Sequence, residues 1–102
     1  MNKFLFIHLF CISSLFATSG EMLYTQKCQN CHGNYGQLSA LGHSESITGW
    51  DVKKTLKALH DYKEGKRNTN GMGAYMQIKM SDFTDEDINE LAKYVATLKK
   101  GN

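Results

Sequence analysis

No proline occurs anywhere in the 102 residues, and cysteine appears only three times. Other absences narrow the possibilities further. Lysine and arginine total 12 against 10 for aspartate and glutamate, so the strong basic excess expected of a nucleic-acid binder is missing. No apolar run reaches the roughly 20 residues that a membrane-spanning helix needs. No alternation of apolar and polar residues marks a strand, and no segment repeats, so the expected class is all-α. A chain of this length makes one domain at most.

Residues 1–19 read as a secretory signal peptide, which leaves 20–102 as the folded domain. Met1-Asn2-Lys3 gives a short positive start, and Phe4 to Phe16 is mostly apolar. Ala17 and Ser19 then stand at the −3 and −1 positions of a cleavage point before Gly20. The apolar stretch, about 13 residues, is too short for an uncleaved membrane anchor. No arginine pair precedes it, which favours the general secretory route. Cys11 follows the bulky Phe10, so it lacks the small neighbour of a lipidated cysteine. The expected location is the periplasm, without stable insertion in a membrane.

Cleavage leaves only Cys28 and Cys31, in the stretch Cys28-Gln29-Asn30-Cys31-His32. Two thiols one helical turn apart reach the edge of a flat macrocycle, and the histidine that follows points at a metal in its centre. Cys-x-x-Cys-His is the attachment signature of a c-type haem. A disulfide in so short a loop adds only about 2–3 kcal/mol and explains neither His32 nor the fold. A thioredoxin-like dithiol needs a preceding strand, and a zinc site needs a fourth ligand that the sequence does not offer. One covalently bound haem c is therefore expected, with Cys28 and Cys31 as its thioether links and His32 as one axial ligand.

Around the motif the pattern is helical. Glu21–Cys31 predicts a first helix with Leu23 and Tyr24 turned inward, stopped by Gly33 and Gly36. An irregular loop follows over 33–47, long for a compact domain unless it wraps a cofactor. Thr48–Tyr62 predicts a second helix, capped by Ser46 or Thr48, with Val52, Leu56 and Leu59 on one face and lysines on the other. Gly73–Lys79 predicts one short turn. The last helix is the best marked: Thr84 caps it with Asp87 at the capping-box position, and Phe83 and Ile88 form a hydrophobic staple. Ile88, Leu91, Val95 and Leu98 supply its apolar stripe, with Tyr94 at the edge, Lys99 and Lys100 at its negative end and Gly101 closing it.

The sixth iron position is open to several side chains. His43 lies close to His32 in the chain, and His60 sits on the lysine-bearing helix, so neither suits the opposite haem face. Met72, Met76 and Met80 recur every four residues in a polar, glycine-rich segment. That is an odd place for a core stripe, although methionine often fills gaps in cores. A thioether favours ferrous over ferric iron, and two filled axial positions favour electron transfer over catalysis. The second nitrogen of His32 needs an acceptor, expected from the 38–43 loop.

Leu23-Tyr24, Cys28-x-x-Cys31-His32-Gly33, Gly71-Met72-Gly73-Ala74-Tyr75-Met76 and Leu91-Ala92-Lys93-Tyr94 together resemble the small bacterial monohaem class I cytochromes c. The resemblance covers the whole domain in order. It implies three to five helices wrapped around one haem, with the first and last helices crossing: Leu23 and Tyr24 against Leu91 and Tyr94. It also implies Met76 as the axial ligand, eight residues ahead of the helix-opening Thr84, with Met72 and Met80 as the alternatives. Trp50 and Tyr75 become candidate neighbours of the haem edge or its propionates. Many relatives carry a proline in the loop after the motif or beside the axial methionine, and this chain has none. The function implied is that of a non-enzymatic, monomeric electron carrier. Its partners would be a terminal oxidase, a peroxidase or a quinol-oxidising complex, met through a small interface steered by Lys53, Lys54, Lys57, Lys63, Lys66 and Arg67. The competing function is that of a fixed electron-transfer subunit in a larger periplasmic enzyme. An open-site gas sensor, the third class, carries its motif near the opposite end of the chain.

Overall fold

The computed structural model describes residues 19–99, and all regular structure in that span is helical. The rest of the expected signal peptide lies outside the described residues, as do Lys100 and Gly101. The helices are α1 (Gly20–Lys27), α2 (Gln29–His32), α3 (Val52–Lys63), α4 (Gly73–Met80) and α5 (Asp85–Val95), with short 3₁₀ turns at Ala40–Gly42 and Thr69–Gly71. The all-α class expected from the sequence pattern is met, and the arrangement is that of the small class I cytochrome c fold that the resemblance implies.

α5 holds the domain together by packing against α1 on one side and α3 on another, while α4 packs on α3. Its start is fastened twice. Thr84 accepts from the Asp87 backbone N–H, and the Asp87 carboxylate accepts from the Thr84 N–H, each at 3.0 Å. Two otherwise orphaned donors at the positive end of the helix are thereby satisfied. Thr84→Ala is expected to cost about 1 kcal/mol. Thermal unfolding would show this as a fall of roughly 4–8 °C in Tm. Phe83 and Ile88 are both buried, as a staple requires, and Leu91, Val95 and Leu98 complete the apolar face.

Helix α1 meets α5 at close quarters. Leu23 and Tyr24 are buried, and the Tyr24 and Tyr94 rings lie 5.5 Å apart, tilted by 50°. Gly20 makes the approach possible: a methyl group there would overlap the Glu90 carbonyl and sit 2.9 Å from Tyr94 Cβ. Ser19, on the leader side of the expected cleavage point, caps α1 by accepting from the Met22 N–H at 3.1 Å.

Four local expectations need correction. The first helix does not run through to Cys31; it breaks at Cys28, whose carbonyl takes the N–H groups of both Cys31 and His32. Helix α3 starts at Val52 with Asp51 as its cap, because the Ser46 and Thr48 hydroxyls instead donate to the Gly36 and Tyr35 carbonyls and tie down the long loop. Its inward residues are Thr55 and Ala58, with Leu56 and Leu59 half-buried; Val52, on the exposed first turn, is 37% accessible. Segment 73–80 forms two full turns, and α5 stops at Val95, so that Leu98 is buried from beyond the helix and Lys99 is outside it.

Candidate functional site

The helices leave an apolar cleft with about 1020 Å³ of empty space, part of it continuous with solvent. Cys28, Cys31 and His32 border it, as do Thr55, Ala58 and Leu59 of α3 and the three methionines Met72, Met76 and Met80.

Local hydrogen bonds fix how the motif faces the cleft. The Tyr24 hydroxyl donates to the Gly33 carbonyl at 2.7 Å, which ties α1 to the residue after His32. The His32 carbonyl accepts from Leu38 N–H at 2.9 Å. Gly33 has φ +94°, and the Gln37 side chain fills the place a Cβ would take, so only glycine fits. Cys28 and Cys31 are half-buried, unpaired thiols, and burial pushes the Cys28 thiol up to about 12. Burial also lowers the His32 pKa, which keeps the imidazole neutral and available as a donor.

Two buried polar atoms have no hydrogen-bond partner among the described residues: Nδ1 of His32 and Nε of Arg67. Both residues border the cleft. The expectation that the 38–43 loop supplies an acceptor for His32 is not met, since Nδ1 has no partner there among the described residues. His43 is exposed, and His60 lies on the flank of α3 with Nδ1 4.0 Å from Asp85 Oδ1; neither borders the cleft. The three methionines differ in burial. Met80 is 1% exposed and belongs to the apolar core, Met72 is 8% exposed, and Met76 is half-buried. Trp50 and Tyr75 both border the cleft.

The shape and chemistry fit one flat, largely apolar ligand held by two thiols on one wall. A family described as cytochrome C oxidase, cbb3-type, subunit III matches residues 16–95. The chain belongs to the c-type cytochromes. This cytochrome is 34% identical over 87 residues to cytochrome c-553 of Helicobacter pylori strain ATCC 700392 / 26695, covering 85% of each chain. It is 28% identical over 88 residues to cytochrome c-554(547) of Halothiobacillus neapolitanus, covering 81% of this chain and 97% of that one. Its cofactor is covalently bound haem c, with the attachment spacing at Cys28 and Cys31, and its role is electron transfer between redox partners. Among the described residues no helix is long and apolar enough to cross a membrane.

One feature of the cleft escaped the sequence reading. Arg67 was grouped with the lysines as part of a charged surface. Its signal was compositional: it is the chain's single arginine.

Proposed function

We propose that this cytochrome is an exported, non-enzymatic one-electron carrier of the periplasm, its haem attached through Cys28 and Cys31 and closed on both faces by His32 and Met76. When bound, the haem supplies a ferrous–ferric couple. The chain supplies the surroundings. The His32 backbone is held by the Leu38 N–H and, through the Tyr24 bond to Gly33, at the next residue, and the side chain offers a neutral imidazole. Met76 brings a soft sulfur that favours the ferrous state. The apolar walls keep water away and so raise the cost of the extra ferric charge.

The observation that supports this reading is that Cys28, Cys31, His32 and Met76 border one apolar cleft, with Met80 packed in the core and neither His43 nor His60 on the border among the described residues. The export route rests on the composition of residues 1–19. Wild-type holoprotein is expected to be low-spin in both oxidation states and to resist carbon monoxide. Rapid carbon monoxide binding by the ferrous protein would sink the closed-site reading.

The family description favours a second reading, a fixed electron-transfer subunit of a larger periplasmic complex. That assembly predicts co-purification with a catalytic subunit, whereas the free carrier elutes alone as a monomer.

A further inference from the structure

Lys63 differs from every other described lysine in being half-buried rather than exposed. Among the described residues no carboxylate lies within ion-pair distance of it. Its ammonium donates instead to the Phe83 carbonyl, 20 residues further along the chain. That carbonyl stands directly ahead of the Thr84 cap, at the positive end of α5, where a cation is disfavoured. The first-turn acids Asp85, Glu86 and Asp87 offset part of the cost. Lys63 is also the last residue of α3, whose negative end suits a lysine left in water. The reach to Phe83 therefore calls for a reason other than helix electrostatics.

What the bond spans is α4. This helix packs on α3 and on the turn ahead of it, whereas α5 packs on both α1 and α3. Ala74, Tyr75, Gln77, Ile78 and Lys79 are exposed, Ile78 to 72%. A helix so lightly covered is among the first elements to open. Its start is fastened by the Gly73 N–H, which donates to Asn68 Oδ1 at 2.8 Å. Beyond that point, among the described residues, both hydrogen bonds from α4 and its exit to α3 involve Lys63. The Lys63 carbonyl accepts from Gln77 Nε2 at 3.5 Å, and Gly65 leaves room for that side chain, since a Cβ there would stand 3.0 Å from the same nitrogen. The Lys63 ammonium holds Phe83, just past the end of α4. Met76 lies between the Gly73 and Phe83 fastenings.

We propose that Lys63 is a positioning residue that latches α4 to α3 and so keeps Met76 at the iron. The inference rests on Met76 being the axial ligand. Without the latch the exit of α4 is free while its start stays fixed at Gly73, so the helix lifts and the sixth position opens more often. A hydrogen bond from a charged donor is strong enough to change the open fraction about tenfold. Lys63 thereby leaves the set of lysines available to steer a partner.

The test uses free imidazole, which is mostly uncharged at about pH 8. It reaches the sixth position only in the open form, so its apparent affinity scales with the open fraction. Titrated into ferric holoproteins, imidazole is expected to bind Lys63→Met about tenfold more tightly than wild type, and Lys63→Arg within about twofold of wild type. Lys93→Met removes an exposed charge from α5 and leaves the affinity unchanged. In urea the far-red sulfur-to-iron band of Lys63→Met is expected to disappear well before its helical circular dichroism. Coincident loss of the two in that variant marks a merely structural lysine and overturns the latch. Unchanged imidazole affinity in Lys63→Met also overturns it, as does an equal gain in Lys93→Met; where Lys63→Met does not accumulate, Lys63→Gln decides. Met76→Ala separates the latch from the axial reading, because imidazole should bind it more tightly than any lysine variant. Binding to Met76→Ala no tighter than to wild type shows that another group fills the sixth position and overturns both.

Discussion

Met76→Ala is expected to abolish the far-red sulfur-to-iron band of the ferric protein and to open the ferrous iron to carbon monoxide. The argument begins with burial. Met76 is half-buried on α4, packed against the edge of the core and bordering the cleft, so it is not enclosed as Met80 is. Truncating it removes the soft ligand that favours ferrous iron, and the potential should fall on the order of 0.2 V within the roughly 0.8 V that haem ligation spans. Stability should fall by about 2 kcal/mol, the lower end for methionine truncation. Met80→Ala supplies the contrast. Met80 is 1% exposed, packed with Tyr24, Ile88 and Leu91. Its truncation is expected to cost about 4 kcal/mol through the cavity it leaves, while the band survives. The opposite pattern, with the band lost in Met80→Ala and kept in Met76→Ala, would reassign the ligand.

A second large effect is expected at the crossing of the first and last helices. Gly20→Ala looks mild from the sequence, because alanine is favoured over glycine in a helix by about 1 kcal/mol. The crossing reverses the sign. A methyl group at position 20 collides with the Glu90 carbonyl, a backbone atom that cannot rotate away, and presses on Tyr94 Cβ at 2.9 Å. Forcing α1 off α5 also disturbs Tyr24, which is fully buried and whose hydroxyl holds Gly33 beside His32. Overpacking of this kind costs up to about 3 kcal/mol, which outweighs the helix-propensity gain. The net cost of up to about 2 kcal/mol should lower the Tm by up to about 8–16 °C for a domain of this size in thermal unfolding of the holoprotein. An unchanged Tm would show that the helices separate at no cost.

Both predictions bear on how much of the molecule the chain reveals before it folds. The haem and the last helix were legible because their signals are local. Cys28, Cys31 and His32 depend on spacing within one turn, and Thr84 and Asp87 cap a helix through bonds between residues three apart. Helix α3 was misplaced for a non-local reason. Ser46 and Thr48 look like caps in sequence, yet their hydroxyls hold carbonyls at positions 36 and 35. Val52 fits an inward stripe by periodicity, but the first turn of α3 faces solvent. The second turn of α4 was missed because the segment reads as polar and glycine-rich, whereas Gly73 is small here so that it can pack on the Arg67 carbonyl.

By itself the sequence determined the helical class, the attachment motif and the small set of sulfur and imidazole side chains from which an axial pair is drawn. These follow from spacing and from the chemistry of each residue. The tertiary structure decided which of them share a cleft, which methionine is enclosed by the core, and which cation borders the cleft with a buried Nε. Burial and facing are properties of packed helices: a side chain's exposure depends on neighbours that are distant in the chain, and only packing brings those neighbours together.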